Sequence, residues 1–98
     1  MFNFEGGKHY SRIENVVLVG EIYTQLFISP ALKKQTLVAI AKNFEKFFEQ
    51  NRSQQQTCVR TSGALERHFK VLKEQNRKVG GTMFAELYDE YKAFKKHS

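Results

Sequence analysis

Leu37, Ile40, Ala41, Phe44, Phe47 and Phe48 recur every three or four positions along the stretch SPALKKQTLVAIAKNFEKFFEQN. At 3.6 residues per turn this spacing puts all six on one side of a helix, with Lys42, Glu45 and Lys46 largely off that side. Such a stripe must be buried, so the rest of the chain has to supply a matching apolar surface. Ser29 is placed to cap this helix and Pro30 to open it, where a missing N–H costs nothing. With 98 residues there is room for one domain of modest core, and nine Phe and four Tyr supply its large pieces in the absence of Trp.

The other segments are expected to follow the same pattern. In SRIENVVLVGEIYTQLFI the run Val16 to Ile22 would suit a strand as well as a helix. Helical spacing can use Ile13, Val16, Val17, Tyr23, Leu26 and Phe27, and a lone strand with no second candidate would have no partner, so a helix is preferred. QNRSQQQT, Gln50 to Thr57, reads as an exposed connection. Beyond it, Thr61 or Ser62 caps a third helix that buries Leu65, Phe69, Leu72 and Val79 and ends at Gly80-Gly81. A fourth runs from Thr82 with Met83 or Phe84, Leu87, Tyr88, Tyr91 and Phe94 in register. The fold class expected is all-α in one domain, with a trihelical core over 13–81 and a C-terminal helix over 82–98.

The net charge of +6 is concentrated locally. Residues 52–81 carry seven Lys/Arg against two Glu, whereas the segments on either side are nearly balanced. On the third helix Lys70, Lys73 and Arg77 form a narrow stripe with Arg67 beside it, opposite Leu65, Phe69 and Leu72. Arg60 lies at the N-terminal turn and Lys78 near the end. A helix of this form can enter a DNA major groove, with Arg and Lys reaching phosphates or guanine edges. The same stripe can equally be a solvated face, since Glu66 and Glu74 lie on it and can pair with Lys70 and Lys78.

Two apolar-faced helices, a polar connection and a capped basic helix follow the order of a helix-turn-helix variant. The stretch RTSGALERHFKVLKEQNRKVGG resembles the third helix of Myb/SANT-like trihelical domains, particularly the plant trihelix type, through Arg60-Thr61, Leu65, Phe69 and Leu72. The chain differs from Myb-like repeats in having no Trp. The resemblance implies a three-helix helix-turn-helix variant with an added C-terminal helix, in which Phe69 is the core aromatic and the exposed side meets double-stranded DNA. Arg60, Arg67, Lys70, Lys73, Arg77 and Lys78 are the expected DNA contacts. It also implies a nuclear protein, alone or as the DNA-contacting subunit of a complex. The alternative is a SANT-type interaction module or small adaptor, whose protein partner could dock on the C-terminal helix.

No enzymatic or metal chemistry is expected. Cys58 and His68 lie ten positions apart with no orienting group or Gly-rich oxyanion loop. His9, His68 and His97 with one cysteine match no zinc spacing, and the paired glycines read as turns rather than a phosphate loop. No cofactor is expected. A single cysteine, no apolar run of membrane-spanning length and no signal-like start favour an intracellular protein without a membrane partner.

Overall fold

The structure is a computed structural model that describes residues 10–28, 33–50 and 60–97. Four helices account for nearly all of them: α1 (Arg12–Ile28), α2 (Lys34–Gln50), α3 (Ser62–Lys78) and α4 (Thr82–His97). No strand occurs among the described residues. The Ser29-Pro30 helix start and the Gln50 to Thr57 connection lie outside the described residues, apart from Gln50, which closes α2.

The run that could have been a strand is helical, and it is the centre of the molecule. Val16, Val17, Leu18, Val19 and Ile22 are all fully buried, and Gly20 and Glu21 are buried beside them. Five apolar residues in seven positions cannot share one helix face. They are all buried because α1 packs chiefly between α4 and α2 and also touches α3. Leu18 and Val19, outside the single stripe expected from spacing, therefore belong to the core. Phe27, expected on the buried side, is instead 76% exposed at the end of α1.

On α2 the expected stripe is buried through Leu37, Ile40, Phe44, Phe47 and Phe48, with Ala41 packed at its margin. The Phe48 ring lies 5.2 Å from those of Phe44 and Phe47. Each fully buried aromatic contributes roughly 1.5–3 kcal/mol through apolar area removed from water. The fourth helix completes this core rather than standing outside it. Phe84, Leu87 and Tyr91 are buried, and Met83, Tyr88 and Phe94 pack at the edge.

The ends of α3 follow directly from its sequence. Thr61 has extended backbone, and its hydroxyl accepts from the Ala64 amide at 3.1 Å, a cap that contributes about 1 kcal/mol. At the other end Gly80 and Gly81 have φ of +78° and +87°, which residues with a Cβ rarely adopt. The Gly81 amide donates to the Asn76 carbonyl at 2.8 Å, closing the last turn. Asn76 Oδ1 in turn accepts from the Phe84 amide at 2.9 Å, so one side chain ties α3 to the start of α4. Val79, expected in the core, is the C-cap of α3 within this turn and is 56% exposed.

Candidate nucleic-acid interface

Leu65, Phe69 and Leu72 hold α3 against the rest of the molecule. Phe69 stacks on Phe84 with centroids 5.5 Å apart and planes within 10°. The seating of these three residues fixes the helix's rotation and so decides which side chains face outward. Arg67, Lys70, Lys73, Arg77 and Lys78 are all exposed. From Arg67 to Lys78 the face extends about 16 Å along the helix axis at the usual rise per residue. Duplex DNA carries one negative charge per roughly 1.7 Å, so a face of that length can meet several phosphates at once.

The face is not uniformly positive. Glu66 and Glu74 are exposed on it, and Glu74 receives both Nε and Nη2 of Arg77. That pairing holds the Arg77 guanidinium above its ordinary range. Glu74 therefore pairs with Arg77, three residues on. Lys73 leans toward the core boundary, its Nζ 5.5 Å from the Phe69 ring centre.

Arg60 does not belong to this face. Its side chain and that of Glu14 are both 0% exposed, and the guanidinium meets the carboxylate through two bonds, Nε to Oε2 at 3.0 Å and Nη2 to Oε1 at 3.2 Å. The guanidinium also lies 3.6 Å from the centre of the Tyr10 ring. The His68 ring is stacked on Tyr10, also at 3.6 Å and within 3° of parallel. Two groups this close to the ring centre cannot share a side, so Tyr10 is sandwiched between Arg60 and His68. A buried charge must keep its partner, because a cation isolated from water costs several kcal/mol. Arg60 is a structural residue, and a phosphate contact from it would require breaking this pair.

This cluster, a buried ion pair flanked by the partly buried Tyr10, His68 and Asn15, is the feature that charge counting missed. Asn15 Oδ1 accepts from His68 Nε2 at 2.8 Å. Burial, and then the nearby Arg60 charge, lower the His68 pKa below its ordinary 6.5, with Glu14 opposing in part. Glu14 also completes a capping box for α1: its amide donates to Ser11 Oγ while its carboxylate accepts from the Ser11 amide. The motif Ser-x-x-Glu at 11–14 was the available signal, since it announces a helix start at Arg12. Nothing local announced that Arg60 would fold back onto it.

Cys58 and His9 lie outside the described residues, so the pairing of Cys58 with His68 has no described geometry. Among the described residues no group of three or more His, Cys, Asp or Glu could hold a metal ion, and no helix is long and apolar enough to cross a membrane. Comparison with family models, with curated proteins and with solved structures finds no match to this chain.

Proposed function

We propose that this chain is a DNA-binding module, acting alone or as the DNA-contacting subunit of a nuclear complex, with α3 as its recognition helix. The observation that carries the reading is the division of α3 into two faces. Leu65, Phe69 and Leu72 anchor one, and Arg67, Lys70, Lys73, Arg77 and Lys78 stand exposed on the other. In this reading α1 to α3 act as a Myb/SANT-like helix-turn-helix variant and α4 is the added element. Arg67 and Lys70 face the groove and Lys73, Arg77 and Lys78 meet phosphates. Arg60 drops out of the contact set and instead supports the N-terminal end of α3.

The second reading is a SANT-type interaction module that docks an acidic protein. The observation that favours it is Glu74, which holds Arg77 within the stripe and would repel a phosphate chain. A discrete acidic partner can place its carboxylates away from Glu74, whereas a duplex offers phosphate on both sides.

Replacing Lys70, Lys73 and Arg77 together by Ala preserves helix propensity and leaves the packed face intact. Duplex affinity measured by fluorescence anisotropy should fall at least about a hundredfold at moderate salt, with a shallower dependence of log affinity on log salt. Unchanged duplex binding by the folded triple variant would exclude the stripe as a DNA contact. If the parent binds an acidic protein control but not duplex DNA, the second reading is the correct one.

A further inference from the structure

The basic face of α3 is interrupted by one aliphatic side chain. Val71 is 50% exposed, the one large apolar residue within this helix that stands outside the core. At about 100° per residue Arg67, Val71, Glu74 and Lys78 fall along one line opposite the buried Leu65, Phe69 and Leu72, and the stripe of Lys70, Lys73 and Arg77 runs along one side of it. Ion pairs among the described residues join Arg12 to Glu90, Arg60 to Glu14, Arg77 to Glu74 and Lys92 to Asp89, and none of them takes in Arg67, Lys70 or Lys78. Arg67 also reaches away from Val71. Its Nη1 lies 3.5 Å from where a Cβ on Gly63 would stand, one turn toward the start of the helix, whereas Val71 lies one turn the other way.

Neither helix stability nor charge explains a valine at this position. Valine has a lower helix propensity than alanine, lysine or arginine, and at half exposure it gains little from burial. A helix that met phosphates alone would bind more tightly with a cation here, since each phosphate contact adds affinity and salt dependence. Isolated apolar residues are common on protein surfaces, but this one sits on the outermost line of the helix, between Arg67 and Lys78. In the major groove of DNA an aliphatic side chain recognises the C5-methyl group of thymine, and Arg recognises O6 and N7 of guanine. Uracil lacks that methyl group, and the deep, narrow major groove of an RNA duplex excludes side chains.

We infer that Val71 is a specificity-determining residue of α3, packing on the methyl group of a thymine while Arg67 donates to a nearby guanine. The inference rests on the DNA-binding reading and adds to it a sequence preference that phosphate contacts cannot supply. About 6 Å of helix rise between the two residues, plus the backward reach of Arg67, sets the two bases roughly two to three steps apart at about 3.4 Å per step.

The test begins by selecting the full chain's preferred sites from a random duplex pool, which should enrich a guanine and a thymine at that spacing. Affinity is then measured by fluorescence anisotropy on the selected duplex and on the same duplex with deoxyuridine in place of that thymidine. The parent should bind the uracil duplex about fourfold more weakly, the effect of one methyl group removed from water. Val71→Ser, which has similar helix propensity, should bind the two duplexes equally, with its denaturation midpoint and its affinity for random-sequence duplex unchanged. Duplex binding with no site enriched, equal binding of thymine and uracil duplexes by the parent, or a thymine preference that survives in Val71→Ser overturns this inference and leaves the DNA-binding reading standing. Absence of any duplex binding by the parent overturns both.

Discussion

The ring of Tyr91 on α4 lies directly against the backbone of Gly20 on α1, so that a Cβ at position 20 would overlap the ring. Glu21, the next residue, accepts the Tyr91 hydroxyl. The packing of α4 on α1 is thus set at this point by the smallest side chain of α1 meeting one of the largest of α4.

This contact decides the sign of Gly20→Ala. Helix propensity alone would make the change stabilising by about 0.8–1 kcal/mol. Overpacking against Tyr91 should outweigh it, at a cost of about 1–3 kcal/mol or more, because the clash is with the ring itself at the core. A lower midpoint in chemical denaturation is expected, and the loss should shrink in a Tyr91→Leu background. A midpoint at or above the parent's would mean that the helices can separate cheaply.

Glu14 serves two roles that one substitution can separate. Glu14→Gln keeps a side chain the capping box accepts, yet it removes the carboxylate charge that faces the buried Arg60 guanidinium. The expected loss is about 3–5 kcal/mol. Ser11→Ala, which removes the hydroxyl of the box and leaves the ion pair, should cost about 1 kcal/mol. Equal losses from the two variants, read from urea denaturation, would show that the ion pair adds little beyond the cap.

His68 should make stability depend on pH. Its pKa is lowered in the folded chain by burial first and by Arg60 second, with Glu14 pulling the other way. Between the folded and unfolded values the unfolded chain holds more protons, so stability rises with pH through that window and is complete above the unfolded value near 6.5. The denaturation midpoint should therefore fall as pH drops below about 6.5. His68→Gln, which can still donate to Asn15, should flatten the curve in that window, and an unaltered curve would assign the dependence to other groups.

Glu74→Gln tests whether Arg77 is held back from a polyanion. Stability should change by no more than about 0.5 kcal/mol, since the pair is exposed. If α3 meets DNA, releasing Arg77 should raise duplex affinity several-fold at low salt and steepen the log–log salt plot by about 0.9. Identical salt plots for parent and variant would remove Arg77 from the interface.

The amphipathic elements were legible in the sequence because they bury one face. Leu37 to Phe48 on α2, and Leu65, Phe69 and Leu72 on α3, repeat with the helical period. Thr61 and Gly80-Gly81 mark the ends of α3 through local backbone chemistry that needs no distant partner. The outward basic side of α3 followed from the same period, since fixing the buried face fixes its opposite.

What the tertiary structure decided concerns residues whose surroundings come from far along the chain. Val16 to Ile22 suited a strand as well as a helix, because a helix covered on several sides is apolar all round and loses the contrast that periodicity detects. Arg60 counted as one more positive charge until folding brought it to Glu14, 46 positions away, and buried both. Local spacing determines which side of a helix is apolar, whereas the partner of a buried charge depends on how the helices are arranged around one another.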